Sequence, residues 1–400
     1  MKSLRELYKI GRGPSSSHTI APERAAKLVK KEHPDADFFR VILFGSLALT
    51  GKGHGTDIAI TDVLGENCEV VFDCETEKPH PNTMIFEVYR NNEKISEHLA
   101  VSIGGGSLLF DGKGETETPD VYSLRSFREI KNYCEQKDIS LYEYVLECEG
   151  EDIELFLSSV WESMKETLRR GIKATGIIPG GLGIVRKAAS LYSSNHIDEM
   201  PETREHRLVC AYAYAVAEEN ACGGKVVTAP TCGACGVMPA VLYYIQRTRK
   251  MRDEDIIRGL AVGGLMGNLI KHNASISGAE CGCQAEIGSA CSMAAAALCE
   301  TYKMSVNQIE YAAEIAIEHH LGLTCDPIWG LVQIPCIERN AVAAERALTA
   351  FYLANFLVGT REISFDLIIE TMLETGKDLK KDYRETSTGG LAKLYKKKAE

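Results

Sequence analysis

The sequence predicts an α+β protein: a small N-terminal mixed α/β domain over residues 1–150, then a larger all-α domain over residues 151–400. Three observations predict it. Early in the chain, short runs rich in Val, Ile, Phe and Tyr are separated by Gly, Pro or Asn, as strands are. From about residue 122, apolar residues recur at helical spacing instead. Four alanine-rich stretches in the second half read as closely packed, buried helices. At 400 residues the chain exceeds a usual single domain, so two compact units are expected. A hydrophobic share of 45% and a charged share of 25% are ordinary globular values and exclude collagen-like or disordered chains. The net charge, 45 − 56 = −11, disfavours nucleic acid as a partner. No apolar run reaches the ~18 residues of a membrane span, and the charged opening MKSLRELYKIGRG lacks a signal peptide's apolar centre. A cytoplasmic protein without a membrane partner is the expectation.

Element by element, residues 22–31 read as a short helix capped by Ser17 or Thr19, with Pro22 and Glu23 in its first turn. Residues 40–49, 68–74, 83–90 and 98–103 read as strands. Leu155, Phe156, Val160, Trp161, Met164 and Leu168 fall on one helical face. The alanine-rich helices are 210–219, 288–298, 312–318 and 341–353, and no strong strand signal accompanies them. The changeover falls near Gly150, in the acidic stretch LECEGED. The basic end KLYKKKAE reads as a solvated, frayed terminus.

Three loops carry chemistry-bearing residues. GRGPSSSHT, residues 11–19, places Ser15, Ser16, Ser17, His18 and Thr19 just before a helix N-terminus, where free N–H groups and the helix dipole attract a carboxylate or phosphate. LTGKGHGTD, residues 49–57, sets Lys52 and His54 among glycines after a strand, and an imidazole there can act as a base near neutral pH. KPHPNT, residues 78–83, holds His80 between prolines with Asn82 nearby; a rigid turn between strands accounts for it equally simply. The glycines of SIGGGS and PGGLGIVRKA lack the βαβ setting of a dinucleotide fingerprint.

Fourteen cysteines need sorting, ten of them between Cys210 and Cys336 inclusive. A large chain without an export signal sits in a reducing compartment, which argues against a disulfide framework. Cys210, Cys291 and Cys299 in alanine-rich helices, and Cys68 and Cys74 in strand-like runs, read as small core residues. Cys232 and Cys235 form a CxxC, but no second CxxC stands at zinc-ribbon spacing and the thioredoxin setting is missing. Cys281, Cys283, Cys325 and Cys336 occupy polar, turn-forming contexts. They suit either a soft metal centre held between helices or plain buried thiols.

Taken together, SSSHT, SLALTGKGHGTD, KPHPN, SIGGGS, VVTAPTCGACGVMPAVL, SISGAECGCQAEIGSACSMAAA, GLTCDPIWGLVQIPCIERNAV and YRETSTGGLA resemble, in order, the signatures of bacterial iron-sulfur-dependent L-serine dehydratase in its single-chain form. The resemblance implies a lyase that converts L-serine to pyruvate and ammonia within amino-acid degradation and gluconeogenesis, without pyridoxal phosphate. It implies a small β domain on a helical catalytic domain, usually in a homodimer. It also implies a 4Fe-4S cluster with three Cys ligands and one open iron; Cys283, Cys325 and Cys336 stand at the matching positions, and Cys281 is then extra. An open iron can act as Lewis acid toward the departing hydroxyl. His54 is the expected base, with His80 as the alternative and Lys52 adding positive charge. Ser15, Ser16, Ser17, His18 and Thr19 are assigned to the substrate carboxylate, with Asn82, Asn273, Ser275 and Ser277 as further polar contacts.

Two positions depart from the family's pattern, Cys232 and Trp329, and an indole at 329 is expected to shrink the substrate cavity, shield the cluster or shift specificity. Competing readings are β-elimination from L-threonine, L-cysteine or another β-substituted amino acid, a non-catalytic iron-sulfur sensor, or a zinc-stabilised binding protein.

Overall fold

In a computed structural model that describes residues 1–114, 119–194, 199–357, 359 and 361–399, two hydrophobic cores divide the chain. The smaller is built on a six-stranded sheet. Strand β1 (Ile10–Arg12) comes first but lies outside it. Helix α1 (Ala21–Glu32), strand β2 (Phe38–Phe44), helices α2 (Gly45–Thr50) and α3 (Thr56–Leu64), and strands β3 (Cys68–Asp73), β4 (Thr83–Arg90), β5 (Glu93–Ser102), β6 (Leu108–Phe110) and β7 (Lys113–Gly114) follow in order. The sheet order is β3-β2-β4-β5-β6-β7, parallel between β2 and β3 and antiparallel elsewhere. Alternation along β2 and β4 sends Val41, Leu43, Phe86 and Val88 inward against Ala25, Ala26 and Val29 of α1.

The larger core is helical: α4 (Phe127–Lys137), α5 (Leu141–Glu149), α6 (Asp152–Gly171), α7 (Ala188–Ser193), α8 (Pro201–Ala221), then strand β8 (Lys225–Val227), and α9 (Val237–Arg249), α10 (Asp253–Asn273), α11 (Gly278–Cys281), α12 (Ser289–Thr301), α13 (Val306–Glu318), α14 (Cys336–Phe356), α15 (Phe365–Asp378) and α16 (Gly390–Ala399). Every residue of α12 is buried, and α9, α10, α13 and α14 pack around it. Its run of alanines is what lets so many helices surround one. The helices α4 and α5, before Gly150, belong to this core through Phe127, Ile130 and Val145.

The N-terminus ties the units together. Met1, Leu4, Leu7 and Tyr8 belong to the helical core, and the Tyr8 hydroxyl donates to the Leu260 carbonyl at 2.8 Å. Strand β1 pairs antiparallel with β8, Ile10 opposite Val227. That pair corrects the expectation that strands end with the first domain; three residues of Lys-Val-Val are too short to show a period.

Other expectations shift locally. The strand expected over 40–49 ends at Phe44, because Gly45 takes φ +54° and turns the chain into α2; its apolar run reads as strand or helix alike. Ser15, not Ser17 or Thr19, caps the turn of π-helix (Ser16–Ile20) that leads into α1, accepting from the His18 N–H. Leu155 points to solvent at 75% exposure, while Val160, Trp161, Met164 and Leu168 are buried as expected. Cys74 is exposed just past the end of β3, and Cys68 and Cys210 are half-buried, so the core reading holds fully only for Cys291 and Cys299. The basic tail is not frayed through Ala399 but part of α16, and Glu400 lies outside the described residues. Among the described residues, no helix is long and apolar enough to cross a membrane.

Candidate active site

Ser15, His54, Cys283, Cys325, Cys336, Glu286 and Glu385 line one small cavity between the sheet unit and the helical unit. Each thiol comes from a different local device. Cys283 follows Gly282 (φ +70°), the turn that ends α11. Cys325 sits in extended chain, where its N–H donates to the Tyr383 carbonyl and its carbonyl accepts from the Glu385 N–H, both at 2.8 Å. Cys336 opens α14. Asn340, one turn on, donates to the carbonyls of Cys336 and Gly233, which holds that turn against the cavity wall. Gly278 is required by space: a Cβ there would meet a Glu286 carboxylate oxygen at 2.8 Å and the Cys325 sulfur at 3.1 Å.

The sulfurs of Cys283 and Cys325 and a Glu286 oxygen all lie within 4.8 Å of one another. The neighbouring Cys325 thiol, with help from Arg339, lowers the Cys283 thiol to about 6, whereas burial holds Cys336 up. Burial and the Cys283 charge push both Glu286 and Glu385 up, Glu385 to about 8, so the Glu385 carboxyl is mostly protonated at neutral pH. Three soft donors on three segments, Cys283 and Cys325 buried and Cys336 half-buried, beside one guanidinium, fit an iron-sulfur cluster. The remaining side of the cavity offers Ser15, His54 and Glu385 instead of a fourth sulfur.

The histidines are fixed by acceptors that leave one tautomer each. His54 Nδ1 faces the Thr50 carbonyl at 3.0 Å; a carbonyl only accepts, so Nδ1 carries the proton and Nε2 keeps its lone pair. His18 Nε2 lies 3.0 Å from Ser46 Oγ, whose own proton goes to the Glu385 carbonyl at 2.7 Å. His18 therefore donates from Nε2 and accepts from Ser17 at Nδ1, 2.8 Å away. The two rings are 4.5 Å apart, and Glu385 Oε1 lies 3.6 Å from His18 Nδ1 and 3.8 Å from His54 Nε2. Burial lowers His54 to about 4; His18 is lowered by burial and then by the nearby His54, so both rings are neutral. The His54 loop reaches the cysteine loop only because residue 53 is glycine: a Cβ would meet Gly330 and Trp329 backbone at 2.6 Å.

Other expected site residues are placed as follows. Ser15, Ser16, Ser17, His18 and Thr19 are all buried around this cluster, with Thr19 Oγ1 donating to the His54 carbonyl at 2.9 Å. Asn82 is fully buried and neither side-chain atom has a partner; the Ser277 hydroxyl is likewise unpartnered. His80 lies in a neighbouring cleft, 3.1 Å from Glu280, and Ser275 donates to the same carboxylate. Lys52 is exposed, its ammonium 5.5 Å from the Phe72 ring, and Asn273 is exposed with its amide on the carbonyls of Arg125 and Leu269. Neither lines the cavity. Cys281 packs against Gly376 outside it, and burial raises its thiol to about 11. Cys232 and Cys235 are wholly buried, with raised thiols. Trp329 is 48% exposed and meets Tyr395 edge-on, so the indole does not shrink the cavity; Pro327 and Val332 line it.

Glu385, Glu286, Ser46 and Arg339 went unassigned in the sequence. All four stand inside the motifs YRETSTGGLA, GCQAE, SLALTG and PCIERN, but nothing in a motif says that residue 385 folds back onto residues 18 and 54.

The family model for the serine dehydratase beta chain matches residues 3–71, and that for the serine dehydratase alpha chain matches residues 80–392. The chain is similar to the L-serine dehydratase of Haemophilus influenzae, 40% identical across 98% of this chain and 99% of that protein. L-serine dehydratase 2 of Escherichia coli is 40% identical across 98% of each chain, and the L-serine dehydratase of Streptomyces coelicolor 38% across 98% of each.

Proposed function

This chain belongs to the serine dehydratase family, with both family segments in one polypeptide, and from that premise we propose that it is an L-serine ammonia-lyase. The reaction is loss of water from serine, followed by hydrolysis of the released 2-aminoacrylate, through its imine, to pyruvate and ammonium. The observation that carries the proposal is the meeting of three cysteines with a neutral histidine on one cavity.

Cys283, Cys325 and Cys336 are the proposed holders of a 4Fe-4S cluster. Such a cluster, with one iron not bound to protein sulfur, supplies Lewis acidity toward the β-hydroxyl and does not need pyridoxal phosphate. His54 accepts the Cα proton at Nε2, where its lone pair is free; the Nδ1–H bond to Thr50 then steadies the imidazolium. Glu385, protonated in the free chain, stands between the rings, 3.6 Å from His18 Nδ1 and 3.8 Å from His54 Nε2, so a closing movement of a few tenths of an ångström brings its proton to either. The π-turn of Ser15, Ser16, Ser17 and Thr19 precedes α1, whose N-terminal dipole favours the substrate carboxylate. Asn82 supplies an amide that has no partner within the chain.

Protein purified and reconstituted with iron and sulfide under anaerobic conditions is presented with a panel of amino acids, and pyruvate, 2-oxobutyrate and ammonia are read. Serine is expected to turn over fastest, with one pyruvate per ammonia. Absence of turnover with every β-hydroxy amino acid would overturn the assignment.

A further inference from the structure

A second histidine cluster lies at the far end of α1, away from the cavity. His33 follows the last residue of the helix, and its Nε2 is 2.7 Å from Nε2 of His98 on β5. Glu32 Oε2 lies 3.9 Å from the same His98 nitrogen, and the three donor atoms all fall within 4.8 Å of one another. We propose that His33, His98 and Glu32 bind a divalent transition-metal ion of the zinc type.

The supporting contacts are those a metal-bound histidine uses. His98 Nδ1 donates to Asp111 Oδ2 at 2.8 Å, and Asp111 Oδ1 is itself fixed by the Leu99 N–H at 2.8 Å. A carboxylate on Nδ1 sets the tautomer, directs the Nε2 lone pair outward and raises its basicity. The ring is further held by stacking on Phe110 at 5.1 Å and 20°. His98 is buried, but His33 is half-buried and Glu32 exposed, so an ion has an entry path and room for a water.

Charge agrees as well. Two carboxylates, Glu32 and Asp111, and the carbonyl end of α1 converge here. Lys30, on the last turn, is drawn away to the Val63 carbonyl. Two imidazoles and one carboxylate with an open fourth position form a borderline donor set suited to Zn²⁺.

The balance is simple. In the free chain His98 donates from Nδ1 to Asp111 and accepts at Nε2 from His33 and from the Ser96 hydroxyl 3.2 Å away; on metal binding His33 moves its proton to Nδ1, the hydroxyl turns aside, and no net proton is released. Two nitrogens at 2.0–2.1 Å from a tetrahedral ion stand about 3.3 Å apart, so the pair opens by roughly 0.6 Å. His33 lies just beyond the end of its helix, where such a movement is least costly. Bound there, the ion ties the C-terminus of α1 to β5.

The test is equilibrium dialysis of the iron-loaded protein against Zn²⁺, with metal content read by mass spectrometry. One zinc per chain is expected for the wild type, and the same in Cys325→Ser. His98→Ala and His33→Asn are expected to weaken it at least 100-fold, and Asp111→Asn by about 10–100-fold. Should His98→Ala fail to fold, His33→Asn decides, since Asn suits a helix end. Zinc uptake that is equal in wild type and His33→Asn, or lost only in Cys325→Ser, overturns the proposal, as does no uptake in the micromolar range.

Discussion

The two ends of α1 each hold a histidine pair beside a carboxylate, and they behave oppositely because one is buried and the other is not. At the N-terminal end His18 and His54 are wholly enclosed; burial holds both neutral and raises the carboxyl of Glu385. At the C-terminal end the side chains of Asp111 and Glu32 are 46% and 50% exposed, and His98 donates from Nδ1 to Asp111. The same set of two imidazoles and a carboxylate is thus proposed to handle protons in one place and to bind a cation in the other. Desolvation disfavours every charge, and the penalty falls only on the enclosed end.

The largest effect is expected outside both pairs, at the thiols they are contrasted with. Cys325→Ser should remove the bound iron and all serine turnover, read by iron analysis and pyruvate release. His54→Ala should lower kcat by about 10²–10⁴-fold with iron content unchanged. His33→Asn, at the other end, should leave kcat within about twofold. An equally large loss in His80→Ala alone, with His54→Ala active, would move the base to the neighbouring cleft.

The pH dependence of stability separates the two ends next. His54 is lowered in the folded chain to about 4 from an ordinary 6.5, so between those values the unfolded chain binds more protons. Stability is therefore lost as pH falls from 6.5 toward 4, by about 3 kcal/mol for this group. His18, shifted the same way, adds to that loss. Glu385, raised to about 8, changes stability in the opposite sense over this range, so the reading is the difference between wild type and His54→Gln in denaturant unfolding from pH 7 to pH 4. That difference should fall as pH drops; a constant difference would contradict the buried, neutral state of this ring.

A smaller effect is expected at Asn82. Its buried amide has no partner, so Asn82→Ala should raise KM for serine about tenfold while leaving thermal stability unchanged or higher. Trp329 should matter least. It holds a left-handed backbone, φ +55°, half-exposed beyond the cavity, so Trp329→Gly should raise stability by about 1 kcal/mol and leave kcat/KM within twofold.

Much of the site was legible because its residues cluster in short motifs. Ser15, His54 and the three cysteines stand in polar, glycine-bearing loops that have no reason to exist in a core. Lys52 and Asn273 were legible in the same way and yet lie elsewhere, since a motif fixes what a loop contains and not which way each side chain turns. Asn273, at the last position of α10, spends its amide on carbonyls near a helix end, a local need that no motif announces. Glu385 failed in the other direction: it lies 331 residues from His54 (385 − 54), and only the pairing of its segment with Cys325 brings it back.

By itself, the sequence determined the two kinds of core, through short Val-, Ile-, Phe- and Tyr-rich runs between turn residues early on and runs of small residues in the later helices. It also set Cys283, Cys325 and Cys336 apart from the apolar-face thiols Cys291 and Cys299. The tertiary structure alone decided which polar groups share a cavity, which of them are removed from water, and so which are charged. Those are properties of distance and desolvation, and neither is carried by a residue's neighbours along the chain.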